Sequence, residues 1–294
     1  MNVVGLGGGH GLATSLRAAL NYADMVSAVV TVADDGGSSG RLTQELGIPP
    51  PGDIRNCLVA LAEDADLAAL YQHRFESGAL TGHTAGNILI AALTEMLGDF
   101  SAAVAEAGKL LRCVGRVHPA TTQLVELGAH VIGGQLQGQV AVGHTTSRIQ
   151  AVYLTPPDPE AHPPAVEAVL ASDQVILGPG SLFTSLIATL LVPGIRKSLH
   201  ETDGRRVFVC NTRMQKGETE GLDAAAHVEA LLAHVGAFAI DTVVVQTPEA
   251  DTDGVKVDRR ALAYSGIEVV EADIADETGT HDPNRLAAVL SSLA

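Results

Sequence analysis

Two glycine-rich segments, each preceded by a short apolar run, contain the residue types that bind phosphate. The first follows residues 3–6 and comprises Gly7, Gly8, Gly9, His10 and Gly11. The second follows residues 174–177 and comprises Gly178, Pro179, Gly180 and Ser181. Glycine lets the backbone approach a ligand closely, and the helix that follows directs unpaired N–H groups and a positive dipole toward it. On one sheet edge, the two turns would form a diphosphate cradle. The alternative is two tight turns whose small residues serve packing.

An acidic string rich in glycine and serine follows the next apolar run, residues 26–32. Its reactive side chains are Asp34, Asp35, Ser38, Ser39 and Arg41. Carboxylates, hydroxyls and a guanidinium suit a ribose or sugar, a magnesium ion and a phosphate. We interpret the string as a flexible ligand-binding loop, with a solvated acidic loop as the alternative.

Polar residues also stand at the starts of two further predicted helices. Asp53, Arg55 and Asn56 follow a run of prolines, and Asp53 is predicted to be the helix N-cap. On the first turn, Arg55 and Asn56 would place a cation and an amide beside that carboxylate. His83 and Asn87 open the second helix, where the alternative to a ligand role is a helix start with an incidental histidine.

Several common catalytic motifs are missing from the chain. There is no Gly-Lys-Ser or Gly-Lys-Thr of a P-loop and no His-Glu-x-x-His pair. The first glycine segment is not a strict Gly-x-Gly-x-x-Gly, which disfavours an NAD-dependent oxidoreductase. The cysteines, Cys57, Cys113 and Cys210, lack Cys-x-x-Cys spacing, so we predict no zinc site and a reducing compartment.

Alternation of apolar β-branched runs with helical stretches predicts an α/β fold built on a parallel sheet covered on both faces. Predicted strands are residues 3–6, 26–32, 174–177, 206–210, 241–245 and 267–270. Predicted helices are residues 12–20, 53–61, 66–75, 84–96, 101–111, 181–191, 222–234 and 283–293.

The segment from about 121 to 154 departs from this alternation. It carries Gly133-Gly134 between two strand-like runs and is predicted to be a small antiparallel β insert. The prolines between residues 156 and 164 are interpreted as a rigid connection back to the α/β pattern. We treat residues 1–294 as one domain containing this insert.

Composition limits the partners of the protein. The 294 residues include 18 Lys and Arg against 34 Asp and Glu, which gives a net charge of −16. Because nucleic acids and membrane surfaces attract cations, neither is expected to be a partner. No basic leader or bilayer-length apolar run is present, so we expect a cytoplasmic protein.

Taken together, the strings resemble the gluconeogenesis factor family (YvcK-like), which is similar to the phospholactate transferase (CofD-like) superfamily of deazaflavin-cofactor synthesis. The strings that carry the resemblance are Gly7–Leu12, Val30–Leu42, Pro50–Asn56, Gly82-His83, Gly86-Asn87, Gly178–Ser181 and Asn211 with Gly217-Glu218-Thr219. The resemblance implies a Rossmann-like three-layer fold and adds Asn211 to the ligand-binding candidates.

The resemblance further implies a regulatory protein that binds a nucleotide-diphosphate sugar such as UDP-N-acetylglucosamine, linked to cell shape, cell-wall synthesis and gluconeogenic growth. The alternative is a magnesium-dependent, phospholactate transferase-like enzyme, for which Asp53 and Asn87 are the catalytic candidates. Asn87 stands where the transferase branch has an acid, which weakens that alternative. A homodimer and a regulatory protein partner are both compatible with the sequence.

Overall fold

The computed structural model describes residues 1–237, 239–250, 252–263 and 266–294. It contains a seven-stranded sheet and a separate three-stranded sheet. The strands are β1 Asn2–Gly7, β2 Met25–Val30, β3 Arg116–Pro119, β4 Glu126–Val131, β5 Gly134–Gln137, β6 Ile149–Thr155, β7 Gln174–Leu177, β8 Arg205–Val209, β9 Thr242–Gln246 and β10 Glu268–Ala272.

The large sheet has the order β10-β9-β8-β7-β1-β2-β3, and each neighbouring pair is parallel. From β1 the chain builds outward through β2 and β3, then returns to the other side of β1 with β7. The order therefore reverses between β1 and β7. In open parallel sheets, ligands bind at such a switch point, beyond the carboxyl ends of the strands.

Helices cover both faces of this sheet. They are α1 Gly9–Ala19, α2 Gly37–Leu46, α3 Gly52–Leu61, α4 Ala65–Gln72, α5 Ala85–Leu97, α6 Phe100–Leu110, α7 Gln139–Gly143, α8 Pro163–Leu170, α9 Ala188–Leu190, α10 Pro193–Glu201, α11 Ala224–Val235, α12 Arg259–Ala263 and α13 Pro283–Ser292, with a π-helix, Leu182–Ile187, before α9.

Successive strand residues point to opposite faces and enter two separate cores. Val3 of β1 packs with α1, α3 and α6 on one face, whereas Val4 packs with α8, α10 and α11 on the other. Strands buried on both faces are mostly apolar, as Val175–Leu177 of β7 are, because neither face meets water. The predicted α/β fold with a doubly covered parallel sheet is confirmed.

The predicted β insert is also confirmed. Strand β4 pairs antiparallel with both β5 and β6, and Gly133, at φ 97°, forms the turn between β4 and β5. Leu127, Val152 and Leu154 turn inward and join the core on the α8 and α10 side of the large sheet. The apolar side of the insert is therefore buried against that face.

Several local predictions were wrong. The string from Asp34 to Arg41 is not a flexible loop throughout, because α2 begins at Gly37. Asp53 is the second residue of α3, and Pro51 occupies the N-cap position. The prolines after residue 156 lead into helix α8, with proline at its first turn, where the missing N–H costs nothing. Edge strand β3 and helix α10 were not predicted.

Among the described residues, no single helix has the length and apolar composition needed to cross a bilayer. One bent pair, Leu182–Leu190 with Pro193–Glu201, meets these criteria in combination, with an angle of 77° between its halves.

Candidate functional site

The two glycine segments meet at the switch point of the large sheet. Leu6 and Leu177 are partners in the register of β1 and β7, so both chains leave the sheet side by side. A Cβ placed on Gly11 would overlap the Pro179 carbonyl and the Gly180 Cα. Ser15 of α1 donates a hydrogen bond to the Gly178 carbonyl at 2.6 Å. The predicted proximity of the two corners is confirmed.

The structure gives different reasons for different glycines. Position 11 excludes a side chain because the second corner packs against it. Position 8 excludes one because a Cβ there would overlap the Asp53 carboxylate. Gly9 has φ 63° and Gly180 has φ 134°, conformations that favour glycine. A Cβ on Gly9 would have the Asp53 carboxylate as its neighbour at 3.9 Å and is otherwise unobstructed. The close approach at Gly8 and Gly11 is therefore to other parts of this chain.

At the first corner, the carboxylate of Asp53 accepts a hydrogen bond from the Gly9 N–H at the start of α1. Burial, and then the nearby charge of Asp34, raises the pKa of Asp53 to about 7. The N–H groups of His10 and Gly11 follow Gly9 in the first turn and have no partner within the helix. The side chain of His10 is exposed. An anion at this corner would lie beside Asp53, which is why the protonation of Asp53 matters here.

The second corner is held by side chains from the loop after β8. Asn211 accepts a hydrogen bond from the Gly180 N–H at 3.0 Å and donates one to the Gly180 carbonyl at 2.9 Å. Asn211 therefore fixes the corner from within the protein, a role that the sequence did not indicate. The hydroxyl of Ser181 accepts a hydrogen bond from Gln215 at 3.0 Å, and Ser181 does not cap the helix that follows.

The cap is instead Glu218, a buried acid. Its Oε1 accepts hydrogen bonds from the N–H groups of Phe183 at 2.6 Å and Thr184 at 2.8 Å, and its Oε2 accepts one from the Thr184 hydroxyl at 3.1 Å. Burial raises the pKa of this carboxyl, and the hydrogen bonds oppose that shift. The positive end of the π-helix is thus already occupied by an internal carboxylate.

A buried polar network lies beside the first corner and includes most of the predicted residues on α2, α3 and α5. Arg55 donates to Asn56 at 2.7 Å, to Asn87 at 3.0 Å and to Thr84 at 2.5 Å. Asn87 in turn donates to the Ser38 hydroxyl at 3.1 Å. The amide of Asn87 thus accepts from a cation and donates to a hydroxyl, which leaves its second N–H without a hydrogen bond to the described residues.

The network ends at a histidine. The Ser38 hydroxyl lies 3.1 Å from Nδ1 of His83. Burial, and then the positive charge of Arg41, lowers the pKa of His83, which favours the neutral ring. The structure therefore joins Ser38, which stands in α2 and not in a loop, to the His83 segment, a contact that the sequence did not predict.

The acidic string divides between two places. Asp34 accepts hydrogen bonds from the Gly36 N–H at 2.9 Å and from Ser39, and burial raises its pKa. Asp35 points away and accepts a hydrogen bond from the Val140 N–H of α7 at 2.9 Å, which ties the β insert to α2. Arg41 is exposed and donates to the Thr81 carbonyl at 2.9 Å. Of the predicted string, Asp34, Ser38 and Ser39 face the network.

Two cavities flank these residues. One of about 250 Å³ is lined by Asp34, Asp35, Pro50 and residues of the β insert. Another of about 400 Å³ lies between Thr145–Ile149 of the insert and the loop that carries Glu218. Typical ligand pockets occupy roughly 300–1,000 Å³, so the larger of these two cavities has the volume of a ligand pocket. Neither lining includes a residue of the two glycine corners.

The sequence analysis missed Thr84, Gln215 and Glu218 as site residues. Glu218 lay within a string that carries the family resemblance, but its capping role joins residues 34 and 35 positions apart. A contact between segments so distant in the chain leaves no periodic signal in the sequence. Thr84 precedes α5 directly and could have been inferred from its helix-start position.

The magnesium ion implied by the transferase resemblance can be tested against the side chains. Among the residues that the structure describes, no three His, Cys, Asp or Glu side chains surround a common metal position. Asp34 and Asp53 do offer two interacting carboxylates. Magnesium often takes one or two protein carboxylates and completes its shell with water and substrate phosphates. The donor set therefore fits an ion held jointly with a diphosphate.

Comparisons with known proteins agree with this geometry. Residues 3–278 match the model of a family described as 2-phospho-L-lactate transferase CofD. A gluconeogenesis factor from Bacillus subtilis is 40% identical over 98% of this chain and 96% of its own length. Another, from Halalkalibacterium halodurans, is 43% identical over 85% of this chain and 79% of its own length.

A solved structure leads to the same assignment. The crystal structure of a UPF0052 family member from Bacillus halodurans has a TM-score of 0.95 and 38% identity, with 98% of each chain covered. Agreement in sequence and in fold over nearly the whole length leaves one conclusion: the chain belongs to the CofD family and is a relative of the gluconeogenesis factors.

Proposed function

We propose that this protein is a regulatory protein that binds a nucleotide-diphosphate sugar of the UDP-N-acetylglucosamine type. The observation that carries the proposal is the contact between the two glycine corners at the switch point of the sheet. There, the first-turn amides of α1 at His10 and Gly11 supply donors for a diphosphate. The network of Ser38, Arg55 and Asn87 lies next to these donors and offers polar groups to a sugar or ribose.

The electrostatics of the corner bear on the choice of ligand. Charge-assisted hydrogen bonds contribute about 1.5–3 kcal/mol each, so a few of them supply much of the roughly 8 kcal/mol of a micromolar complex. The overall charge of −16 opposes an anionic ligand weakly, because charges beyond about 8 Å are screened at physiological ionic strength. The negative charge of Asp53 repels an anionic ligand at the corner itself, and protonation of Asp53 would remove that repulsion.

Calorimetric titration with UDP-N-acetylglucosamine tests the proposal, with UDP alone and GDP as comparison ligands. A matched pair of variants locates the site. In Gly9→Asp, a carboxylate would stand at the first turn of α1, whereas Gly9→Asn adds a neutral side chain of the same shape, and both residues tolerate the positive φ of Gly9.

We expect the Gly9→Asn protein to bind close to wild-type affinity and the Gly9→Asp protein to bind at least about tenfold more weakly, because like charges repel at short range. If neither wild-type heat nor a thermal shift appears at millimolar ligand, the protein does not bind this nucleotide sugar. Unchanged affinity in both variants would place the ligand elsewhere, and equal losses would show that bulk at position 9, not charge, excludes it.

The link to cell shape, cell-wall synthesis and gluconeogenic growth is the physiological part of the proposal. It predicts that this chain restores growth on a gluconeogenic carbon source to a Bacillus subtilis strain lacking its gluconeogenesis factor. Restoration by Gly9→Asn but not by Gly9→Asp would connect ligand binding to that role. Equal growth with both variants would show that ligand binding at the glycine corner is not needed for the growth role.

A second candidate function is a phospholactate transferase-like activity, favoured by the family match over residues 3–278. The raised pKa of Asp53 suits a general base that takes the proton of an acceptor alcohol as its oxygen attacks the distal phosphorus of a nucleotide-diphosphate adduct. The bond from that phosphorus to the bridging oxygen breaks, and a nucleoside monophosphate leaves. Magnesium would supply charge neutralisation at the phosphates. Asn87 argues against this function, since a neutral amide stands where the transferase branch has an acid.

Transferase activity predicts GDP binding and magnesium-dependent product formation with a deazaflavin acceptor. The Asp53→Asn variant would retain GDP binding and lose turnover. Binding of UDP-N-acetylglucosamine without product from any such mixture would exclude the transferase function and support the regulatory one.

A further inference from the structure

A cavity of about 450 Å³ lies beside edge strand β3, and its lining includes no residue of the glycine corners. It is enclosed by α6, α8, the middle of α3 and edge strand β3. The loop from α6 to β3 enters the sheet at the amino end of β3, whereas the glycine corners leave it at the carboxyl ends of β1 and β7. This cavity is therefore separate from the candidate nucleotide-sugar site.

The cavity is rich in basic side chains, although the protein is strongly acidic. Its lining includes Lys109, Arg112, Arg116, His118 and His162. Lys109 pairs with Glu106 at 2.9 Å, and His162 lies near Asp99. The guanidinium groups of Arg112 and Arg116 have neither a hydrogen bond nor an ion pair with any residue that the structure describes. In a chain with 34 acids and 18 bases, two exposed arginines without such a partner give the rim of this cavity a local positive charge.

The two histidines of the cavity have lowered pKa values. Burial, and then the neighbouring His162 and Arg116, lowers the pKa of His118 to about 4. The ring centroids of His118 and His162 are 6.1 Å apart, and the Ser101 hydroxyl lies 2.9 Å from Nε2 of His162. The lowered pKa values favour neutral rings near pH 7, so the positive charge that a bound anion would meet is that of Arg112 and Arg116.

The backbone places Arg112 at the cavity in an uncommon way. Arg112 has φ 52°, in the left-handed region. Arg112 follows the last turn of α6. The Arg112 N–H donates to the Lys109 carbonyl at 3.0 Å, and the Cys113 N–H donates to the Gly108 carbonyl at 2.9 Å. Glycine is the usual residue after a helix end of this kind. An arginine here accepts backbone strain, and strained positions of this kind cluster at ligand sites.

The remaining lining is apolar and sets the class of ligand. Leu58, Val104 and Val117 are buried in the core beneath the cavity, and Ala105 and Pro164 complete its walls. We propose that this cavity is a second binding site, for a small organic anion in which a phosphate or carboxylate is attached to an apolar body. Arg112 and Arg116 bind the anionic group, and the apolar body rests against Leu58 and Val117.

Helix α3 connects this cavity to the glycine corner. Asp53 lies in its first turn, and Leu58 is five positions further on, about 7.5 Å along the axis. The Leu58 carbonyl accepts a hydrogen bond from the Cys113 thiol at 3.2 Å, and the Leu61 carbonyl accepts one from the Val114 N–H at 2.9 Å. The segment that carries Arg112 is therefore hydrogen-bonded to the helix that positions Asp53.

Calorimetric titration of the full chain with phenyl phosphate tests the assignment, with inorganic phosphate and benzyl alcohol as partial probes. We expect saturable binding of phenyl phosphate and weaker binding of each partial probe. The double variant Arg112→Gly/Arg116→Gln should bind at least about tenfold more weakly, since it removes two charge-assisted hydrogen bonds. Glycine suits the backbone at position 112, so this protein should unfold at the same or a higher temperature than wild type.

Two controls locate the binding. Lys197→Gln removes an exposed cation of α10 that pairs with Glu201 and should leave the affinity unchanged. Gly9→Asp alters the glycine corner and should also bind phenyl phosphate with wild-type affinity, whether or not the protein binds a nucleotide sugar. Wild-type affinity in the double variant, or loss of affinity in Gly9→Asp, would overturn the site. Equal affinity for inorganic phosphate and phenyl phosphate would overturn the apolar half of the assignment.

Discussion

At the residue scale, the protonation of Asp53 is set by where the fold places it. Burial and the charge of Asp34 raise its pKa from the ordinary 3.8 to about 7. The folded protein therefore keeps a proton that the unfolded chain releases, and the free energy of unfolding falls as pH rises from about 4 to about 7. The loss from Asp53 is at most about 4 kcal/mol, at 1.36 kcal/mol per pKa unit.

Asp53→Asn should remove this contribution, because the amide oxygen still accepts from the Gly9 N–H and carries no charge. Urea unfolding at pH 5 and pH 8 measures it. We expect the variant to be more stable than wild type at pH 8 and the difference to shrink at pH 5. A difference that does not vary with pH would show that Asp53 ionises normally.

Glu218 is the residue-scale counterpart at the second corner, where a carboxylate caps the π-helix. Glu218→Ala leaves the N–H groups of Phe183 and Thr184 without their acceptor, in a place where Glu218 itself is 7% exposed. The expected loss is about 3 kcal/mol in the free energy of unfolding. Glu218→Gln keeps one oxygen acceptor and should lose about 1 kcal/mol. Denaturant unfolding of both variants checks the order, and equal losses would contradict a capping role.

At the scale of elements, the end of α6 combines a strained residue with an otherwise ordinary helix stop. Arg112→Gly relieves the positive φ of Arg112 but makes the unfolded chain more flexible, and these effects oppose each other. We therefore expect a stability gain of less than about 1 kcal/mol, measured by thermal unfolding. Arg112→Ala keeps the strain without the cation and serves as the matched control, which should not gain. A marked loss in Arg112→Gly would mean that the Arg112 side chain stabilises the fold.

At the scale of the whole molecule, the excess of acids works against compactness. Like charges repel in the folded chain, and salt screens that repulsion, with a Debye length of about 10 Å at 0.1 M and about 3 Å at 1 M. The exposed ion pairs, such as that of Lys197 with Glu201 at 3.7 Å, contribute little in the other direction. We expect the unfolding temperature to rise with potassium chloride between about 0.02 and 0.5 M. A fall would show that surface ion pairs outweigh the net charge.

The sequence by itself determined the parallel sheet, the small antiparallel insert, the glycine turns after β1 and β7, and most helix positions. These features depend on local patterns: apolar periodicity, β-branched runs and the conformations that glycine permits. The family resemblance followed from the same strings. Residues such as Ser38, Arg55 and Asn87 could be selected because polar types at element starts are visible in the chain.

Only the tertiary structure decided how those residues are used. It put Glu218 at the start of the π-helix, so that an internal carboxylate occupies a terminus that the sequence left open for a ligand. At α1 it put Asp53 on the Gly9 N–H only, so that the amides of His10 and Gly11 remain for a ligand. It turned Asp35 toward the insert. These contacts join segments that are far apart in the chain, and their energies depend on burial and mutual distance, which come into being when the layers pack.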